Sequence, residues 1–212
     1  MINNHENYWN SYYVNKLNSS IPSQFAAFVL NEFSTKKRFI DIGCGDGRDS
    51  FFFADHGMSV LGVDGSSSAI GSCEQKATSK CLSNATFQCL QMNNAMECDN
   101  FVLINKNLWA GSLLYSRFFL HAIDDETERN FLKLASELAG QEGSVCLEFR
   151  TPRDQFQQKE TGEHYRRYVD PLGFIERARK YNFECKYVVE GFGFAKYKSD
   201  DAYVARIILT KG

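Results

Sequence analysis

One stretch constrains this chain more than any other: Phe39-Ile-Asp-Ile-Gly-Cys-Gly-Asp-Gly-Arg48, an apolar β-type run that passes without a spacer into three glycines set two apart. Glycine has no Cβ, so a turn built from it adopts backbone conformations other residues avoid and brings its N–H groups close to a ligand. A strand, a glycine turn and an immediate helix form the opening unit of an α/β fold with a parallel sheet.

The rest of the sequence follows that pattern. Short β-type runs at 38–42, 59–63, 85–91, 112–118 and 144–149 alternate with helical segments. A helix is expected to start near Pro22, a residue suited to a first helical position, with Phe25, Phe28, Val29 and Phe33 on one stripe. Asp124 is placed to cap a helix whose apolar stripe is Phe131, Leu134, Ala135 and Leu138 and which Gly140 ends; Asp170-Pro171 opens another. Two last strand-like runs, 183–190 and 203–209, are joined by a segment too short for a crossover helix and are expected to pair antiparallel. The expected fold is thus a Rossmann-like, seven-stranded, mostly parallel sheet with a terminal antiparallel hairpin and helices on both faces.

At 212 residues the chain suits one domain, 1–212, with an N-terminal helical cap (1–35) on a Rossmann-like core (36–212). A net charge of -2 with scattered basic residues gives no polyanion footprint, so nucleic acid is not an expected partner. No apolar run approaches a membrane span and the Asn-rich start is unlike a signal peptide, so the protein is expected in the cytoplasm, off the membrane. Seven cysteines without a Cys-x-x-Cys pair argue against a disulfide framework and a zinc site. The sequence leaves monomer and homodimer open.

A second acid, Asp64, closes the second β-run, where its carboxylate can accept bonds from both hydroxyls of a ribose; Gly65 and Ser66 follow it. The turn and this acid together point to an adenosine-containing ligand. The nicotinamide dinucleotide fingerprint needs a third glycine where this chain has Arg48, and Asp41 and Asp46 bracket the turn with negative charge that a pyrophosphate would meet. A ligand carrying an ammonium and a sulfonium would not.

On these residues the chain resembles the class I S-adenosylmethionine-dependent methyltransferases, over roughly residues 36–210. The resemblance implies that Asp41, Gly43 and Gly45 hold the methionine end of S-adenosylmethionine and Asp64 the ribose, with Arg48, Gly65 and Ser66 in the same cofactor set. Where the family presents an acid after strand three this chain has Gln91-Met-Asn93-Asn94, so Asn93 is the residue left to meet the adenine. Family members often fold an initial helix over the cofactor; Tyr8, Trp9, Tyr12 and Tyr13 share one helical face, and Trp9 and Tyr13 are candidates to shield the sulfonium.

The acceptor side is read from the segments after strands four and five, since ligands of open α/β sheets lie beyond the carboxyl ends of the strands. Five of the eleven arginines fall there: Arg117, Arg150, Arg153, Arg166 and Arg167. Arginine's planar fork binds carboxylate or phosphate at two points, which suggests an anionic small-molecule acceptor; salt bridges to Glu148, Asp154, Glu160 and Glu163 are the alternative use of the same charges. His121, which would share a helical face with Arg117 if the chain bends into helix there, and His164 are candidate bases, with Tyr165 as an alternative proton acceptor or orienting group. Arg117, Arg150 and Arg166 complete the candidate catalytic set, and Arg117 is also a candidate for the cofactor-binding set.

The strings Tyr115-Ser-Arg-Phe-Phe-Leu-His-Ala-Ile123, Leu147-Glu-Phe-Arg-Thr151 and His164-Tyr-Arg-Arg167 resemble a subgroup of methyltransferases of bacterial surface-polysaccharide loci, some linked to methylated phosphoramidate on capsule sugars. That implies a phosphate-containing or sugar-acid acceptor. Two other readings remain open: a non-catalytic cofactor-binding subunit serving a partner, and a nicotinamide-dependent oxidoreductase.

Overall fold

A computed structural model describes residues 21–157, 159, 165–197 and 199–212. Chain order within it is α1 (Gln24–Glu32), β1 (Arg38–Ile42), α2 (Arg48–Asp55), β2 (Ser59–Asp64), α3 (Ser67–Ser79), β3 (Ala85–Cys89), α4 (Ala95–Trp109), β4 (Leu113–Arg117), α5 (Asp125–Ala139), β5 (Ser144–Arg150), α6 (Pro171–Arg179), β6 (Phe183–Gly191) and β7 (Val204–Lys211). These strands form one sheet in the order β3-β2-β1-β4-β5-β7-β6, in which β7 alone runs antiparallel, between β5 and β6. A two-residue ribbon, Lys196–Tyr197 with Asp200–Asp201, folds the β6–β7 connection back on itself.

Alternating side chains send each strand's residues to two apolar layers. One layer joins Ile40, Ile42, Leu114, Leu147 and Ile207 to Phe101, Phe131 and Phe174 under α4, α5 and α6. The other joins Phe39, Tyr115, Cys146 and Ile208 to Phe25 and Val29 of α1 and Phe53 of α2. Helix starts are set by the expected caps: Asp124 accepts from Thr127 N–H at 2.8 Å and Asp170 from Gly173 N–H at 2.6 Å. At α1 the cap is Ser23, which accepts from Ala26 N–H, so Pro22 stands before the cap and not inside the helix. Strand three ends at Cys89, two residues short of the expected 91, because Gln91 begins the turn whose Asn94 caps α4.

Register places one transverse row along the carboxyl edge of the sheet. Arg117 of β4 pairs with Glu148 of β5, Glu148 with Arg206 of β7, and Arg206 with Val189 of β6. In the other direction, the β1–β4 pairing of Asp41 with Tyr115 and the β1–β2 pairing of Ile42 with Val63, continued past the end of β1, bring Gly43 level with Arg117 and with Asp64. The site is assembled along this row.

Candidate active site

The glycine turn occupies the cofactor half of the row. Gly43, Gly45 and Gly47 have φ of 76°, 55° and 72°, a region that side chains with a Cβ rarely enter. The turn is also crowded: a Cβ on Gly43 would lie 2.6 Å from the Phe119 ring, and one on Gly47 2.8 Å from Cys73 Sγ. Its first two N–H groups, of Gly43 and Cys44, both donate to Val63 O, at 2.8 and 3.0 Å. Gly45 N–H donates to Asp64 Oδ2 at 2.9 Å, and Ser66 N–H to Asp64 Oδ1 at 2.8 Å. A carboxylate oxygen has two acceptor positions, so each oxygen of Asp64 keeps one for a ribose hydroxyl while the backbone bonds fix its orientation. Burial raises the Asp64 carboxyl above its ordinary range against the pull of those two bonds.

Asp41 lies beneath the turn, buried, accepting from Ser50 Oγ at 2.6 Å. Burial pushes its pKa up to about 8, and the nearby Asp49 and Asp64 charges add to the rise. Such a carboxyl holds its proton near neutral pH and gives it up when a cation comes alongside. Asp49, buried one turn into α2, accepts from Ser23 N–H at 2.8 Å, Ser23 Oγ at 2.7 Å, Tyr115 Oη at 2.8 Å and Arg48 Nε at 3.2 Å. Burial pushes Asp49 upward, but Arg48, Arg117 and the Ser23 bonds outweigh it and hold the carboxyl below its ordinary range. Acidic groups gathered around one helix start are a poor setting for a pyrophosphate and one that suits a cationic ligand group.

Past β2, Gln91 Nε2 donates to Gly65 O at 2.8 Å, and Glu97 accepts from Gln91 N–H at 3.2 Å and Asn94 Nδ2 at 2.8 Å. Asn93 sits exposed in the turn these bonds hold together. Gln91 and Glu97, absent from the expected set, are therefore what shapes the loop that carries it.

Charged side chains make up the other half. Arg117 Nε donates to Glu148 Oε1 at 2.7 Å and Arg206 Nε to Glu148 Oε2 at 2.8 Å, so one buried carboxylate holds two guanidinium groups. Arg206 also donates to Phe194 O at 2.8 Å and lies against the rings of Phe25, Phe28 and Phe194. Among the described residues, no hydrogen bond engages the two outer nitrogens of Arg117, whose side chain is 16% exposed. Burial works against the Arg117 charge, yet Glu148 and Asp49 overcome it and raise its pKa.

Arg150 is different. At 5% exposed, its fork is closed by Asp154 at 2.6 Å and Asp200 at 2.7 Å, which ties the β6–β7 connection to the end of β5 and leaves this guanidinium no edge for an acceptor. Arg153 bonds Tyr203 Oη at 2.7 Å, and Arg167 bonds Leu120 O, Glu128 and Asp125. The salt-bridge alternative thus holds for Arg117 with Glu148 and for Arg150 with Asp154, while Arg167 pairs with Glu128 and Asp125 instead of the acids expected.

Arg117 and His121 do not share a helical face. Phe118, at φ 57°, turns the chain out of β4, and His121 falls on a 3-10 turn, Leu120–Ala122. A phenylalanine in this left-handed region is a strained residue held by its surroundings. Its ring lies under the guanidinium groups of Arg117 and Arg150, at 4.2 and 5.3 Å, and edge-on to His121 at 5.1 Å. Buried His121 accepts from Arg150 N–H through Nδ1 at 3.4 Å, which makes Nε2 the protonated nitrogen of the neutral ring. Tyr165 is half-exposed and Arg166 half-buried, in the segment that leads to the Arg167 N–H bond with His121 O at 2.7 Å. Trp9, Tyr13 and His164 lie outside the described residues.

Comparison with known proteins agrees with this geometry. A family model described as a methyltransferase domain matches residues 33–147, so the chain belongs to the methyltransferase-domain family. Its fold is the class I fold of solved S-adenosylmethionine-dependent methyltransferases. A solved S-adenosylmethionine-dependent methyltransferase from Anabaena variabilis superposes with a TM-score of 0.76 at 20% identity, over 98% of this chain and 93% of that one. A magnesium protoporphyrin IX methyltransferase from Synechocystis, solved with bound S-adenosylmethionine, gives 0.62 at 16% identity over 89% and 76%. In sequence, the 23S rRNA (uracil(1939)-C(5))-methyltransferase RlmD of Pseudoalteromonas translucida is 30% identical over 95 residues; the match spans 44% of this chain but only 21% of that enzyme.

Proposed function

We propose that the protein transfers the methyl group of S-adenosylmethionine to an oxygen or nitrogen of a small anionic acceptor, a carboxylate- or phosphate-bearing metabolite of the kind used as a polysaccharide precursor. One observation carries this reading: Arg117 stands one strand from the glycine turn, its inner nitrogen pinned by Glu148 and its outer two left without a hydrogen bond among the described residues.

S-adenosylmethionine supplies an electrophilic methyl on a sulfonium; the protein's part is to align and desolvate an acceptor atom against it. Arg117 would grip the acceptor's anionic group at two points, while Phe118 and Glu148 fix the plane of the fork. Tyr165 would border the acceptor, with a base needed only where its nucleophile still holds a proton.

The test is S-adenosylhomocysteine release against a panel of sugar acids, sugar phosphates and their neutral counterparts. Turnover is expected with anionic members only, and Arg117→Ala is expected to lower kcat/KM on them about 100-fold, the worth of one bidentate charged contact. Equal turnover of neutral acceptors would overturn the anionic reading. Cofactor binding with no turnover on any member would favour the partner-subunit reading.

A further inference from the structure

Helix α4 has two apolar faces, where a helix lying on a sheet needs one. Its inner face, Cys98, Phe101 and Trp109, is buried in the core beside α5. Its outer face carries Met96, Leu103, Ile104 and Leu108, exposed at 74%, 68%, 73% and 65%. Spacings of seven, eight and twelve residues put these four on one side, with Asn100, Asn107 and, in the first turn, Glu97 among them. The acidic residues are anchored within the chain yet stay exposed: Glu97 accepts from Gln91 N–H and Asn94 Nδ2, and Asp99 from Lys133 of α5 at 2.6 Å. Large apolar side chains with charge kept to the border are the composition of an interface centre, not of ordinary surface.

We propose that this face is a dimer interface, in which α4 packs antiparallel on α4 of a second copy about a two-fold axis. The stripe is complementary to itself when reversed: the register that sets Met96 against Leu108 of the second copy also sets Asn100 against Ile104, and places Leu103 beside the axis. Charge selects the same direction. The acidic residues Glu97 and Asp99 lie in the first half of α4 and Lys106 in the last turn, so antiparallel packing brings opposite charges together and opposes the two helix dipoles. Area is sufficient: four exposed side chains of this size offer about 400 Å² per copy. The stripes of two copies then bury about 800 Å², and the asparagines and the charged border bring the total to the roughly 1,200–1,600 Å² of specific interfaces.

Sedimentation of the full chain between about 1 and 100 μM tests this. A mass of twice the 24.2 kDa chain is expected at the upper end. Because both positions are exposed, Leu103→Asp with Ile104→Asp is expected to leave circular dichroism and the thermal midpoint unchanged while weakening association at least about 100-fold, through desolvated carboxylates at the centre of the contact. Lys106→Glu should weaken it about threefold at low salt, an effect lost at high salt. A monomer at 100 μM overturns the proposal, as does a dimer that survives the double substitution. A monomer in which α4 amides are nonetheless protected from exchange overturns it in favour of another segment of this chain covering the face.

Discussion

Along one transverse row of the sheet, Gly43 works through the backbone and Asp64 through a short carboxylate that backbone N–H groups orient, whereas Arg117, Glu148 and Arg206 work through long charged side chains. The first pair sits in neighbouring parallel strands, and its geometry is set by local turns: three positive-φ glycines, two N–H bonds to Val63 O and two to Asp64. The second group is held by contacts up to 58 residues apart in the chain. A cofactor common to a whole family can be met by a turn that tolerates little change. An acceptor peculiar to one enzyme is met by side chains that several strands bring together.

The comparison predicts that damage to each half is read differently. Glu148→Gln removes the charge shared by two buried guanidinium groups and should cost about 3–5 kcal/mol of stability, lowering the thermal midpoint by about 10 °C, with cofactor affinity of the folded protein unchanged. Asp64→Ala should do the reverse: calorimetry is expected to show S-adenosylmethionine binding weakened at least about 100-fold by loss of two charged hydrogen bonds, while Arg117→Ala stays within about threefold of the parent. If both variants weakened cofactor binding alike, the division of the row would be wrong.

Asp41 offers a pH test confined to the cofactor half. Its folded pKa of about 8 lies above the ordinary 3.8, so the folded chain holds this proton more tightly than the unfolded chain does. Its contribution to stability is complete below pH 3.8 and is lost as pH rises through about 8. Cofactor whose ammonium pairs with the carboxylate must expel that proton. Titrations at pH 7 in buffers of different ionisation enthalpy should therefore show proton release, and affinity should climb from pH 6 to 8 in the parent but stay flat in Asp41→Asn. The smallest effect is expected at His121: with Nδ1 engaged by Arg150 N–H, His121→Gln should lower the thermal midpoint by a few degrees and leave the pH profile of kcat in place. Loss of the profile's acidic limb would instead make His121 the base.

How far the sequence could be read follows the same division. The turn, Asp64 and the caps at Asp124 and Asp170 are local patterns, and each falls where expected. Glu148 was legible only as one possible salt-bridge partner, and Arg206 and Asp200 not at all, because their meaning depends on β7 lying beside β5 in a particular register. Ser23 and Tyr115 were hidden for a related reason: an ordinary cap and an ordinary core aromatic converge on Asp49 only once α1 packs on α2. The helical face proposed for Arg117 and His121 failed at Phe118, whose left-handed backbone no propensity anticipates.

The place of β7 bears on how the molecule comes into being. It follows β6 in the chain yet separates β6 from β5, so β6 has no strand to join until 204–211 have been made. During synthesis the nascent chain can complete its glycine turn early, since β1, β2 and the intervening helix adjoin in sequence. The β5 edge meanwhile stays open, with Glu148 lacking its second guanidinium. Closing it is one late, long-range pairing step, the slow kind. A ribosome-bound intermediate would therefore hold its glycine turn and the Arg117–Glu148 pair before Arg206 arrives to complete the row.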